Sequence, residues 1–285
     1  MKYLIQVINN NVTSNLKFHI DEKSICFTLV KDCDINLHLK DNYREIVFIV
    51  QDGVKVNLVN TIGNGNTKLS YSLANNSFMS EFVLIENDDE NIVVEKHVKQ
   101  LNDSVYEVTN GLFSDSNVKC DVVVDLDGVN AKALHNIAVI ARKENEKYFN
   151  ITINNNEKMS YGELNNFGVV KDTATLIFNG TGYIKKGATL SEAHQESKII
   201  TFDPKIKAQA NPFLIIDESD VKASHAAAVG KIDEEQLYYL QSRGIRYNDA
   251  SKLITYGYLK PVLNKVSDEA LKERLEKLIE SKVGI

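Results

Sequence analysis

For most of its length the chain alternates apolar and polar side chains with a period of two. Val54, Val56 and Leu58 stand against Lys55 and Asn57; Cys120, Val122, Val124 and Leu126 against Asp121, Val123, Asp125 and Asp127. Phe149, Ile151 and Ile153 repeat the pattern, as do Ala174, Leu176 and Phe178. Runs of this kind are half-buried strands. Turn-forming stretches such as NTIGNGNTK (60–68) and INNNEK (153–158) separate them, and strand centres recur every ten to fifteen residues or so, a spacing that suits a sandwich, a barrel or a β-solenoid. The three prolines, Pro204, Pro212 and Pro261, all lie in the last third. Proline cannot donate to a ladder, so its absence from the first two hundred residues agrees with uninterrupted sheet. Asparagine makes up about a tenth of the chain, in keeping with turns and stacked amides, and no strict repeat is visible.

The period changes after residue 230. Asp233, followed by Glu234, Glu235 and Gln236, predicts a capped helix with Leu237 and Leu240 on its apolar face and Gly244 as its stop. A second helix is predicted from near Asn248, with Ala250, Leu253, Ile254 and Tyr258 inward, ending before Pro261. A third is predicted with Ser267 as cap, Asp268 and Glu269 behind it, and Leu271, Leu275, Leu278 and Ile279 at helical spacing. The chain therefore divides into a β core over 1–230 and a helical subdomain over 231–285.

Charge and composition narrow the function. The 285 residues carry a net charge of −6 with no dense Lys/Arg block, which argues against nucleic acid and anionic membranes as partners. No apolar run is long enough to span a membrane and the N-terminus does not read as a secretory signal, so a cytoplasmic protein with three reduced cysteines, Cys26, Cys33 and Cys120, is expected. Phosphate-loop, nucleophile-elbow and zinc-protease motifs are absent. Cys33 and His38, an odd number apart, point to opposite faces of a strand. Asp125 and Asp127 share a face and stand as candidate paired carboxylates, with the Asp217/Asp220 turn as a second acidic site.

One segment differs from the rest: NPFLIIDESDVKASHAAAVGKIDEEQLYYLQSRGI, residues 211–245. It reads as a buried strand over Phe213 to Ile216, an acidic turn, a short second strand, and a small-residue stretch around His225 leading into the capped helix. Alanines at 223 and 226–228 leave the backbone and the His225 imidazole open to close approach by another chain.

This segment closely resembles the C-terminal signature of the SufB/SufD family, scaffold subunits of the SUF iron–sulfur cluster assembly machinery. FNGTGYIKKGATLSEAHQESKIITF (178–202) and DVVVDLDGVNAKAL (121–134) are similar to earlier parts of the family pattern. The resemblance covers about residues 106–260; residues 1–105 carry no family motif. It implies a mainly β fold, a right-handed parallel β-helix core with a small C-terminal α-helical subdomain. It also implies pairing of two cores through their β-helices, with a SufB-type chain or with itself as homodimer, and docking of a SufC-type ABC ATPase on the helices through Glu235, Leu237, Tyr238, Leu240, Arg243 and Tyr258. ATP hydrolysis then belongs to the partner, and sulfur arrives from a cysteine desulfurase. His225, with Ser224 and Lys222, falls in the family's K-x-S-H motif, so the resemblance places cluster assembly or the interface there, with His225 and Cys120 as candidate metal ligands for a transient nascent cluster and none tightly bound. The sulfur-accepting cysteine of SufB-type chains falls at Ser197, and the acidic residue after the histidine at Ala226, which makes the chain SufD-like. The start directly in β structure implies a short version of the family chain. Three cysteines on separate strands cannot supply a four-thiolate cluster, so further ligands come from a partner. The competing readings are a β-helix carbohydrate lyase or hydrolase, and an interaction module that keeps the fold without cluster chemistry.

Overall fold

The computed structural model describes residues 1–85, 88, 91–266 and 269–283. In chain order its strands are β1 (Lys2–Ile8), β2 (Asn11–Ser14), β3 (His19–Ile20), β4 (Ser24–Leu29), β5 (Cys33–Lys40), β6 (Glu45–Val50), β7 (Lys55–Ile62), β8 (Gly65–Leu73), β9 (Phe78–Ile85), β10 (Asn91–Gln100), β11 (Val105–Leu112), β12 (Asn117–Leu126), β13 (Lys132–Ala141), β14 (Glu146–Asn155), β15 (Tyr161–Val170), β16 (Thr175–Ile184), β17 (Glu192–Thr201), β18 (Lys207–Ile216) and β19 (Lys222–Lys231). Three helices follow: α1 (Glu234–Ser242), α2 (Tyr247–Leu263) and α3 (Glu269–Val283).

From β4 onward the chain alternates between two sheets. Odd-numbered strands build one, in the order β19-β17-β15-β13-β11-β9-β7-β5-β1-β2, and even-numbered strands the other, β18-β16-β14-β12-β10-β8-β6-β4-β3. Neighbours are parallel except the β1–β2 and β3–β4 pairs, which are antiparallel. The result is a parallel β-solenoid of about eight turns, the solenoid option among those the strand spacing left open.

The period-two pattern fills the lumen. Ile25, Phe27, Phe48, Tyr71, Tyr106, Phe149 and Phe178 point inward with Ile, Val and Leu from both sheets, and the stacked Phe27–Phe48 rings and the tilted Phe149–Phe178 pair follow the solenoid axis. One charged cluster interrupts this core. Glu81 accepts hydrogen bonds from Lys96 Nζ (2.6 Å), Tyr106 OH (2.5 Å), Tyr71 OH (2.9 Å) and Asn60 Nδ2 (3.0 Å). Burial pushes its carboxyl up, but Lys96 and the other donors outweigh that and hold it low.

Asparagine contributes through lateral stacking as well as turns. Asn150 Nδ2 donates to Asp121 Oδ1, Asn179 to Asn150 and Asn211 to Asn179, at 2.6, 2.7 and 2.9 Å, forming an amide ladder on the outer face of the even sheet. At one corner the left-handed residues Gly53, Asn76, Asp103, Asn130, Met159 and Leu190 stack, each donating its amide to the carbonyl one coil on. Gly, Asn and Asp suit that conformation; Met159 and Leu190 carry its strain.

The helices depart from expectation in two ways. α2 runs through Pro261 to Leu263 instead of stopping before it. Val262 and Leu263 are buried against the odd sheet, and that packing outweighs the one hydrogen bond the proline removes. Leu253, expected inward, is exposed; the buried stripe is Ala250, Ser251, Thr255, Leu259, Val262 and Leu263. Of the third helix's expected start, Ser267 and Asp268 lie outside the described residues, while Leu271, Leu275 and Ile279 are buried as read.

The helices cover the middle of a face. Leu259, Val262, Leu263, Leu275 and Ile279 pack on the outward side chains Phe82, Leu84, Phe113, Ala138, Ile140, Phe167 and Val169 of β9, β13, β15 and the turn after β11. A polar latch fixes the far end. Asp115 takes both ends of Arg142 (2.7 and 2.8 Å) and also meets Lys143 and Lys282, and Lys282 reaches Asp88 at 2.7 Å. Burial raises the Asp115 carboxyl, yet the hydrogen bonds from Arg142 and Lys143 prevail and hold it far below the usual range.

Candidate functional site

The last coil, β18 with β19, has neighbours on one side only. The strand read as buried over Phe213–Ile216 is therefore an exposed edge: Phe213 is 52%, Ile215 51% and Ile216 42% exposed. The correction has a physical cause, since a strand apolar on both faces has the composition of a covered strand and stands here at the free end of its sheet. The small-residue stretch is itself part of a full strand, β19, exposed along nearly all of its length.

Strand parity splits the motif residues. His225 pairs with Gln195, which is buried, so its side chain belongs to the lumen row and is open at the solenoid end. Beneath it Gln195 reaches across the lumen and donates Nε2 to the carbonyl of Phe213 at 2.8 Å. It fits because Gly180 and Gly182 lack side chains; a Cβ at either would come within 2.8 or 3.0 Å of the Gln195 amide. Ser197, the position of the SufB-type cysteine, is buried in the same row and accepts from Asn166 Nδ2 at 3.1 Å. Ala227 lies directly above it.

Lys222 and Ser224 take the outer row. Lys222 Nζ pairs with Glu192 (2.9 Å), whose other oxygen lies 3.1 Å from His194 Nε2, and His194 Nδ1 meets Ser224 Oγ at 2.7 Å. The pairing of Glu192 with Lys222 and of His194 with Ser224 was missed in the sequence. Its only signal is a 30-residue offset that no repeat motif marks.

Cys120 is not brought to His225. It sits in the closed lumen on β12, three strand steps before β18, about 14 Å at about 4.8 Å per step. Burial pushes its thiol up to about 12, so it is a protonated core residue. His135, also buried, is driven down to about 3 by the same desolvation and is neutral. Among the described residues no group of three or more His, Cys, Asp or Glu side chains is arranged to hold a metal. Cys33 is buried in the lumen row and His38 faces out, as parity requires.

The carboxylates of the carbohydrate reading are each engaged separately. Asp125 takes His97 Nε2 at 2.6 Å and Asn154 Nδ2 at 2.7 Å, while Asp127 takes Asn156 Nδ2 at 2.8 Å; Asp217 accepts the Tyr183 hydroxyl at 2.8 Å. These are steps of lateral ladders.

On the helices, Asp233 caps α1 by accepting from the amides of Glu235 and Gln236. Glu235, Tyr238 (74% exposed) and Arg243 face solvent, and Arg243 stacks over the Tyr239 ring. Leu237 is buried, Leu240 lines a groove with Ile200, Leu253, Ile254 and Tyr258, and Tyr258 packs its ring against Phe167. The six expected docking residues therefore divide into an exposed set and the apolar seat that holds it. Tyr239 and Tyr247, about half exposed and not singled out in the sequence, extend the exposed surface together with Leu253, which the sequence had placed inward. No helix among the described residues is long and apolar enough to cross a membrane.

The chain is thus a parallel β-solenoid whose last coil is open and whose helices lie on one face of the odd sheet. The family model for the SufBD core domain of the SUF iron–sulfur cluster assembly system matches residues 38–258, well over half of the chain. The chain belongs to the SufB/SufD family. It is 41% identical over 181 residues to the iron–sulfur cluster assembly protein SufD of Bacillus subtilis, covering 64% of this chain and 41% of that protein. It is 33% identical over 107 residues to SufD of Escherichia coli, 38% of this chain and 25% of that one. A SufBD family protein of Pyrococcus horikoshii matches at 33% over 116 residues, 41% of this chain and 25% of the relative. In these matches the chain spans between a quarter and two-fifths of its relatives' length. The family match also reaches well upstream of residue 106, where motifs stop being recognisable by eye.

Proposed function

We propose that the chain is a SufD-like scaffold subunit of an iron–sulfur cluster assembly complex. The observation that carries the reading is the uncapped last coil, which leaves His225 reachable above the Gln195 brace and the outer edge of β19 open. In this reading the open coil meets a SufB-type chain or a second copy, the nascent cluster is cargo at that junction, and His225 contributes one ligand or lines the assembly site. Cys120 is too far away and too firmly protonated to join it. The exposed face of α1, with Glu235, Tyr238 and Arg243, receives a SufC-type ABC ATPase that hydrolyses ATP, and sulfur comes through a cysteine desulfurase. The chain has no turnover of its own.

The test is cluster delivery in cells, read from the activity of an iron–sulfur enzyme, with His225→Ala against wild type. Delivery is expected to fall at least about tenfold with the variant's thermal midpoint unchanged, because an exposed histidine contributes little to stability. Unchanged delivery leaves the fold-retaining interaction module. For the helices, Tyr238→Glu is expected to abolish co-purification with the SufC-type ATPase of the same organism; retention of the ATPase removes α1 from the docking surface.

A further inference from the structure

The outer row of the last two odd strands brings together three side chains that no motif in the sequence links. β17 and β19 lie parallel and in register, so Glu192 stands beside Lys222 and His194 beside Ser224, about 4.8 Å apart along the outer face. Ser224 Oγ lies 2.7 Å from His194 Nδ1, and His194 Nε2 lies 3.1 Å from Glu192 Oε2. A hydroxyl, an imidazole and a carboxylate are thus joined in one line of hydrogen bonds.

The direction of the protons in that line follows from its far end. Lys222 Nζ, 2.9 Å from Glu192 Oε1, and then His194 hold the Glu192 carboxyl below its usual range, so it is ionised and can only accept. His194 Nε2 must carry the proton it donates to Glu192. In the neutral ring this leaves Nδ1 with a lone pair aimed at Ser224, and the Ser224 hydroxyl donates to it. The ring is held from a further side by Tyr161, whose ring centroid is 5.7 Å away and whose hydroxyl is anchored on Glu163 at 2.6 Å. Nucleophile, base and orienting group stand in the relation that activates a serine. The exposed serines of the helices differ: Ser242 and Ser281 donate to the helical carbonyls of Tyr239 and Leu278.

A donor for developing negative charge stands next to the hydroxyl. On β19, Lys222 donates its amide to Ser191 and Ile232, one residue past the strand, donates to Thr201, so even residues bond inward to β17. The residues between them direct their amides the other way. The N–H of His225, one residue after Ser224, therefore has no acceptor among the described residues. A backbone N–H just after the nucleophile is a position from which an oxyanion can be stabilised.

We propose that Ser224 is an activated nucleophile that takes the acyl group of a small activated ester, with His194 as its base and Glu192 as a positioning residue. Ser224 Oγ bonds to the acyl carbon while His194 Nδ1 takes the hydroxyl proton; the bond from that carbon to the leaving oxygen then breaks, and the alcohol departs with the proton. Nothing is oxidised or reduced. Ser224 is exposed, and the His194 and Glu192 side chains are 30% and 31% exposed, so the donor meets an open face and is selected by its reactivity. This chemistry is separate from the scaffold role, in which the chain has no turnover, and neither depends on the other.

The test treats the full chain with a fluorophosphonate, which bonds phosphorus to a reactive serine oxygen and expels fluoride, and locates the adduct by peptide mass spectrometry. Ser224 is expected to be labelled at least about a hundredfold faster than Ser242 and Ser281, and His194→Gln to remove that advantage with the thermal midpoint unchanged. Glu192→Gln keeps the base but loosens its orientation, and should slow labelling by about tenfold. With p-nitrophenyl acetate the wild-type chain should release about one nitrophenolate per chain in a burst and carry the acetyl group on Ser224. Labelling of Ser224 no faster than that of Ser242, or equally fast in His194→Gln, overturns the activated nucleophile. A burst whose acetyl group sits on another side chain overturns the acyl step.

Discussion

The two ends of the solenoid are finished in opposite ways. At the N-terminal end both sheets close on short antiparallel strands, the four-residue β2 and the two-residue β3, so little backbone is left unpaired. At the C-terminal end two ten-residue strands are the outermost of their sheets among the described residues. Natural sheets keep exposed edges short or charged; these two are long, with charge only at Lys207, Lys222 and Lys231. The helical tail could have provided a cover, as solenoid ends need a cap, but it packs on the outer face of the middle coils instead. One end is closed by short strands of its own chain and the other presents open strand edges.

The largest effects should come from the sealed regions. Asp115→Asn leaves Arg142 and Lys282 without their shared anion and is expected to lower stability by about 3 kcal/mol at pH 7, read by urea unfolding. The carboxyl is held below its ordinary value of 3.8 in the fold, so its contribution is complete above that pH and is lost as pH falls below it; the gap between variant and wild type should narrow in acid. A gap that widens in acid instead would show the latch is not what Asp115 supplies. Leu275→Ala, at a fully buried position under α3, should cost about 2–4 kcal/mol. Phe213→Ser at the open end should change stability by less than about 0.5 kcal/mol and reduce aggregation in light scattering. If Phe213→Ser costs as much as Leu275→Ala, the open end is a packed one and the contrast collapses. The smallest signal is the finest: in the free protein the amides of Ser224, Ala226 and Ala228 should exchange more slowly than those of Ala223, Ala227 and Val229, because only the even set is bonded to β17.

The sequence carried the alternation, the turn chemistry and the helix caps, because each depends on neighbours a few residues away. It did not show the repeat. Lys55 lies beside Phe78 and Thr175 beside Lys207, so coil length drifts from 23 to 32 residues along the chain and no fixed period can be read. For the same reason the outer-row contact of His194 with Ser224, and the division of Lys222 and Ser224 from His225, became visible only once the register was known. Phe213–Ile216 looked like core because its composition is that of covered strand; composition does not say which molecule does the covering. Pro261 failed as a stop because Val262 and Leu263 gain more from packing than the helix loses.

The amide ladder on the even sheet has a direction, and its origin fixes it. A carboxylate can only accept, so Asp121 obliges Asn150 to donate; that leaves the Asn150 carbonyl to accept from Asn179, and the Asn179 carbonyl from Asn211. Turning over Asn150 or Asn179 would break the bonds on both sides of it, and turning over Asn211 its bond to Asn179, so the three behave as a single polarised wire rather than as three rotors. The wire emerges at Asn211 with its oxygen end outward, and the choice of an aspartate three coils away thereby sets the sign of the contact that the last coil offers to whatever settles beside it.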